Sequence, residues 1–341
     1  MLLSPFVILH SSFAADAPAA APKEPPPKIL PAGDTRRDVA VQKHRGELLS
    51  YDPATRAGTF KSSADGVIIS FTALPHVLCQ HHGALGDMSD YRIGERLRFM
   101  LHEGEDGKWN RLGLVAEELE ELVAHDEPYF VDKIDAAKGI LICTRRNRAG
   151  DKIVWPGMVI STDKDTRYWR EGTPDAKFAD LAVGMPLFMK THGGTGLMER
   201  TAWEVLMDKA SVEHFKTEQM QTLRQRLTTE GLPGYIDSVT EKEVRLTLFP
   251  EVMSFILGQA SGAKATPAQR ALKPRQTVQF SLAGPERAAK GGRCSGKVTL
   301  LRPFIKNQSY ICEVTIALDS PVPAEFKATA VARVWPLEAG R

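Results

Sequence analysis

Asp90-Tyr91-Arg92-Ile93-Gly94-Glu95-Arg96-Leu97-Arg98-Phe99 is matched further along by Ala179-Asp180-Leu181-Ala182-Val183-Gly184-Met185-Pro186-Leu187-Phe188-Met189. In both, an acid and an apolar residue precede a glycine, which marks a turn, and the run after it reads as a strand. The flanking sequence repeats as well. Before Gly94, Gly46-Glu47-Leu48-Leu49-Ser50-Tyr51-Asp52 leads through a turn into Gly58-Thr59-Phe60, and Val67-Ile68-Ile69-Ser70-Phe71 follows. After it, Asp106-Gly107 reads as a hairpin turn between Phe99-Met100-Leu101 and a strand over 109–114. Before Gly184, Phe130-Val131-Asp132-Lys133-Ile134-Asp135 leads to Gly139-Ile140-Leu141-Ile142, and Gly193-Gly194-Thr195-Gly196 takes the place of the Asp106-Gly107 turn.

A third unit opens with Gly234-Tyr235-Ile236-Asp237-Ser238-Val239 and Glu243-Val244-Arg245-Leu246-Thr247-Leu248-Phe249. Its glycine segment is Leu272-Lys273-Pro274-Arg275-Gln276-Thr277-Val278-Gln279-Phe280, with Pro274 standing where glycine was, and further strands are expected over 296–301, 309–318 and 326–334. Closing such a sheet on itself removes its exposed edges, so each unit is expected to form a small antiparallel β-barrel. The order of elements resembles the tandem oligonucleotide/oligosaccharide-binding-like (OB-like) barrels of exported bacterial envelope proteins. The resemblance spans Lys43 to Pro336 and implies a mostly β chain of tandem small antiparallel barrels, with one packed helix between the second and third. A β-sandwich array is the alternative.

The helix is legible in Val212, Phe215, Met220, Leu223 and Leu227, with Ser211 as its expected cap and Gly231 just beyond its end. Glu117-Glu118-Leu119-Glu120-Glu121-Leu122 reads as a short acidic helix or linker on the solvated surface. The expected organisation is a signal peptide over 1–14, a linker over 15–42, barrels over 43–124, 125–208 and 232–341, and the helix over 209–231.

At 341 residues, 43% hydrophobic and 25% charged, the chain has the composition of a soluble globular protein, which excludes wholesale disorder, collagen and a multi-span membrane protein. Leu2 to Phe13 is an apolar run too short to span a bilayer, and Ser12-Phe13-Ala14 offers a cleavage site after Ala14, although no Lys or Arg precedes the run. The Ala/Pro-rich tract from Ala15 to Pro31 is an extended spacer. Export to the periplasm or cell envelope is therefore expected, with no other segment apolar enough to cross a membrane. Of the four cysteines, Cys294 and Cys312 share a unit and are the expected pair if a disulfide forms; two buried free thiols are the alternative.

Among chemical motifs, His76-Val77-Leu78-Cys79-Gln80-His81-His82 with Met88 offers thiolate, imidazole and thioether ligands. Cys79, His81, His82 and Met88 would suit copper, and the first three zinc. The alternative is a barrel loop with a buried Cys79. Gly291-Gly292-Arg293-Cys294-Ser295-Gly296-Lys297 lacks the Ser or Thr and the helix that a phosphate-binding loop requires. His192-Gly193-Gly194 has no Gly-x-Ser-x-Gly nucleophile to serve and reads as a hairpin turn. Asp163, Asp165 and Glu171 lie around Tyr168 and Trp169, which read as loop packing or as a stacking platform for sugar or base; a hydrolase would need two such acids across one cleft.

Charge is unevenly spread. Net charge is +2, yet from Val252 to Cys312 Glu286 is the only acid among many cations, including Lys273, Arg275, Arg287, Lys290, Arg293 and Lys297. Such a face attracts a polyanion, either acidic glycan or nucleic acid, unless it complements the acids of the first two units. No catalytic constellation emerges. The expected role is non-enzymatic binding or scaffolding at the cell envelope through the basic third unit. An OB-like nucleic-acid-binding protein and a copper or zinc protein are the alternatives.

Overall fold

The computed structural model describes residues 41–53, 55–149, 152–173, 175–193, 198–252, 272–283, 292–306 and 309–337. The expected signal peptide and spacer, Arg287 and Lys290 lie outside these. The chain forms three closed β-barrels, with one long helix packed between the second and third.

Barrel 1 comprises β1 (Gln42–Asp52), β2 (Ala57–Ser62), β3 (Ile68–His81), β4 (Ala84–Leu85), β5 (Arg96–Glu103) and β6 (Trp109–Glu117). Strand β1 pairs with β2 and β5, β2 with β3, and β5 with β6, all antiparallel; β3 closes the barrel on β6 in parallel. After the short helix α1 (Glu118–Ala124), barrel 2 repeats this plan with β7 (Tyr129–Asp135), β8 (Ile140–Arg146), β9 (Ile153–Ser161), β10 (Arg167–Trp169), β11 (Pro186–His192) and β12 (Glu199–Leu206). Here β9 closes on β12 in parallel, and β10 extends the edge of β12.

The glycine motif performs the same task in both barrels. Gly94 (φ +90°) donates its N–H to Leu48 O at 2.7 Å, and Leu48 N–H returns to Glu95 O at 3.0 Å. Gly184 (φ +84°) donates to Val131 O at 2.7 Å, and Val131 N–H returns to Met185 O at 3.1 Å. The left-handed turn, open to glycine without strain, sets the following strand beside the first one.

Helix α2 (Lys209–Glu230) leads into barrel 3, which contains β13 (Leu232–Val239), β14 (Glu243–Leu248), β15 (Thr277–Leu282), β16 (Cys294–Lys306), β17 (Ser309–Leu318) and β18 (Val331–Pro336). Its order β13-β14-β17-β16-β15-β18 is six-stranded and antiparallel throughout, so it is not a third copy of the first two topologies. The glycine position is also filled differently. Arg275, not Pro274, adopts the left-handed turn (φ +65°). Gln276 Oε1 accepts from Lys273 N at 2.9 Å, as Glu95 Oε2 accepts from Arg92 N at 3.0 Å, which fixes this equivalence.

Each barrel has its own apolar core. Phe60 and Phe99 stack at 4.0 Å in the first, Leu141, Met158, Phe188 and Val205 fill the second, and Val244, Leu246, Phe280, Val314 and Ile316 fill the third. Helix α2 belongs to two of them: Val212 and Phe215 enter the core of barrel 2, Leu223 and Leu227 that of barrel 3. Its cap is Asp208 rather than Ser211, because the Asp208 carboxylate accepts from Ser211 N and satisfies a first-turn amide. Gln219, not its neighbour Met220, is buried on the helix.

One further expectation is corrected. His76 to His81 is not a loop: β3 runs through it, and the register shift between Ala73 and Leu78 hides the alternation in the sequence. All four cysteines are free. Cys294 lies opposite Phe280 whereas Cys312 lies opposite Pro303, well along β16, so the two thiols cannot meet. Among the described residues no helix is long and apolar enough to cross a membrane.

Candidate functional site

The acidic run after β6 does not face solvent. Glu117 is 1% exposed, and with Glu95 and His81 of barrel 1 it meets Lys190 of β11, itself 4% exposed. Lys190 Nζ lies 2.6 Å from Glu117 Oε1, 3.2 Å from Glu95 Oε1 and 3.2 Å from His81 Nε2. Burial would strip the charge from Lys190, but Glu117, Glu95 and Glu204 outweigh it and hold the ammonium protonated well above the usual lysine range.

The chain's local geometry aims both histidines at this point. His81 ends β3, and His82 turns through a left-handed conformation (φ +48°), donating its backbone N–H to Glu117 Oε2 at 2.9 Å. His82 Nε2 then lies 2.9 Å from Glu204 Oε2 on β12. Gln219 of α2 donates to Asp90 Oδ2 at 3.0 Å, which turns its Oε1 toward His81 Nδ1 at 3.1 Å. His81 Nδ1 thus faces an acceptor, while Nε2 lies between the Lys190 ammonium and Glu117 Oε1, 3.0 Å from the latter. Burial pushes His81 well below its ordinary pKa, consistent with a neutral imidazole.

One ligand atom each of His81, His82 and Glu117 lie within 4.8 Å of one another. Of the sequence-predicted metal ligands the fold thus gathers His81 and His82, and adds Glu117. Cys79 and Met88 instead pack in the apolar core of barrel 1. Burial pushes the Cys79 thiol far above its ordinary pKa, the reverse of what a thiolate ligand needs. Against this group, 2.6 Å from Glu117 and 3.2 Å from His81, there already lies a cation, the Lys190 ammonium.

A second buried cluster lies beside the first. Arg145 of β8, fully buried, reaches Glu127 at 2.9 Å and Glu121 at 3.4 Å, and Arg45 of β1 forks onto Glu121 at 2.7 and 2.8 Å. Arg200 of β12 pairs with Glu118 and donates to Tyr129 Oη at 3.1 Å. Burial alone would raise the pKa of Glu118, but Arg200, Arg145 and Arg96 hold it near 2. The guanidiniums of Arg45, Arg145 and Arg200 all lie 4.9–5.1 Å from the centre of the Trp155 ring. Barrels 1 and 2 are therefore joined by charge, through partners far apart in sequence.

The free charge lies elsewhere. Lys273, Arg275 and Lys297 are exposed at one rim of barrel 3. Arg275 N–H binds Val298 O at 2.8 Å, and Lys297 lies opposite Thr277, so β15 and β16 bring the two cations together. None of the three has an acidic partner among the described residues. Arg293, just before β16, stacks 4.2 Å over Trp335 and donates to Gln279 at 3.2 Å. Trp335, an aromatic that no sequence motif marks, is therefore part of this surface, whereas Phe280 is buried in the core.

The remaining motifs are placed as follows. Asp163 is used within its own turn, accepting from Asp165 N and Thr166 Oγ1. Tyr168 packs on Phe178, and Trp169 on Phe215. Gly193 follows the end of β11 and accepts a hydrogen bond from Arg96 at 3.0 Å. No protein family, curated protein or solved structure matches the chain.

Proposed function

We propose that this chain is an exported, non-enzymatic binding or scaffolding protein of the cell envelope, and that it contacts an anionic polymer through the rim of its third barrel. The observation that carries this reading is Arg275. It stands at the turn position filled by Gly94 and Gly184 in the other barrels and is held at φ +65°. A side chain in this conformation costs about 1–2 kcal/mol, a strain typical of positions kept for function. It places an exposed guanidinium beside Lys273 and Lys297. The buried acids and bases, by contrast, are closed on one another between barrels, which suits a scaffold. Export rests on the Leu2–Ala14 sequence alone.

Arg275→Gly separates the two roles of this residue. Titrating the full chain into labelled alginate and labelled oligothymidylate at increasing salt should show affinity falling with salt. For the single-stranded DNA, each lost cation should flatten the slope by about 0.7. The variant should bind more weakly while its urea midpoint stays equal or rises. Absent binding at low salt, or wild-type binding by Arg275→Gly, would overturn the proposal. A preference between probes names the partner as acidic glycan or nucleic acid.

The second reading, a copper or zinc protein, rests on the convergence of His81, His82 and Glu117 and requires Lys190 to be displaced. Metal analysis of untagged protein with and without Lys190→Met tests it; metal-free samples of both would end it.

A further inference from the structure

We propose that a cleft of about 320 Å³ beside the start of α2 binds a small aromatic zwitterion, a molecule of the class of a free aromatic amino acid. Its volume lies at the small end of ligand sites, enough for one ring and a short polar head. The apolar walls are Trp169 and Phe215, whose rings stand edge to face at 4.8 Å and 85°, with Ala210 leaving room beside them. A planar ring laid against such a corner gains the edge and face contacts aromatic pairs favour.

Two lining residues of opposite sign, Arg170 and Glu171, both exposed, bring charge to its mouth, and His214 also lines it. A carboxylate alone would meet Glu171, an amine alone would meet Arg170, and a neutral sugar or base would engage neither charge. A head group carrying both signs on neighbouring atoms satisfies both.

The cleft is built rather than incidental. One carboxylate fastens its two walls: Asp208 Oδ2 accepts from Glu171 N at 3.0 Å, and Oδ1 from Ser211 N and Oγ at 2.7 Å. The Arg170–Thr173 turn closes on itself through Thr173 N–H to Arg170 O at 3.0 Å, and Met207 N–H holds Trp169 O at 2.9 Å. This site is independent of the basic rim of barrel 3 and of the polymer-binding proposal.

The test uses the full chain and three probes, L-phenylalanine, benzoate and 2-phenylethylamine, measured by isothermal titration. L-Phenylalanine should bind saturably and about tenfold more tightly than either probe lacking one charge. Trp169→Ala should abolish that binding, Trp169→Phe should retain part of it, and Arg170→Gln and Glu171→Gln should each weaken it several-fold. Circular dichroism establishes that each variant is folded. No saturable binding at 10 mM probe, equal affinity for all three probes, or wild-type affinity in folded Trp169→Ala and Trp169→Phe would overturn the proposal.

Discussion

Lys190 Nζ and Glu117 Oε1, 2.6 Å apart and both almost fully buried, join the second barrel to the first. Removing one partner of such a pair leaves a buried charge uncompensated, typically at a cost of about 3–5 kcal/mol, whereas removing both together restores much of the loss. Lys190→Met should therefore lower the urea midpoint sharply, and Lys190→Met/Glu117→Gln should recover part of it.

Stability should decline as pH rises from about 4.5 to about 8. Burial, with the charge of Glu117, raises Glu120 to about 7, and burial opposed by Arg56 raises Glu251 to about 8. Both are above the ordinary 4.5, so their contribution is complete below that pH and is lost as pH rises through 7 and 8. His81, pushed the other way by burial, contributes above its ordinary 6.5 and is lost as pH falls. Urea midpoints from pH 5 to 8 should fall less steeply in Glu120→Gln/Glu251→Gln, which keeps both groups neutral.

Two glycines with nearly the same positive φ should respond differently to alanine. At Gly184 (φ +84°) a Cβ meets nothing within 4 Å, so only backbone strain of about 1–2 kcal/mol is expected. At Gly231 (φ +86°) it would lie 2.6 Å from the Trp335 ring, where α2 enters barrel 3. Gly231→Ala should lower the thermal midpoint more than Gly184→Ala.

Four free thiols, with Cys79, Cys143 and Cys312 buried and Cys294 partly exposed, predict a stepped reaction with Ellman's reagent. Cys294 should react first in the native protein and the others only on unfolding, while dithiothreitol leaves the urea midpoint unchanged. Resistance of two thiols to the reagent after unfolding, relieved by dithiothreitol, would contradict the free-thiol assignment.

The barrels were legible where local chemistry decides local shape. Gly94, Gly184 and Asp106-Gly107 mark turns whose conformations demand such residues, and Leu223 and Leu227 recur at helical spacing. The seam was not legible, because its partners lie far apart. Nothing near Glu117 and Glu118 announces Lys190 or Arg200, so a run of acids read as surface when it is buried. His81 and His82 were visible as candidate ligands, but the third member, Glu117, follows only from the parallel closure of β3 on β6. The displaced cap at Asp208 and the shift from Pro274 to Arg275 are errors of a few residues or one. They arise where several polar residues, or a proline and its neighbour, fit the same turn.

Joining the first two barrels by charge while leaving the third barrel's cations in water gives the molecule two electrostatic systems with different sensitivities to ions. Mobile salt shields exposed charges over about 8–10 Å at ordinary ionic strength but reaches enclosed ones far less. Raising the salt should therefore weaken the polymer contact proposed for those cations without loosening the joint between the first two barrels.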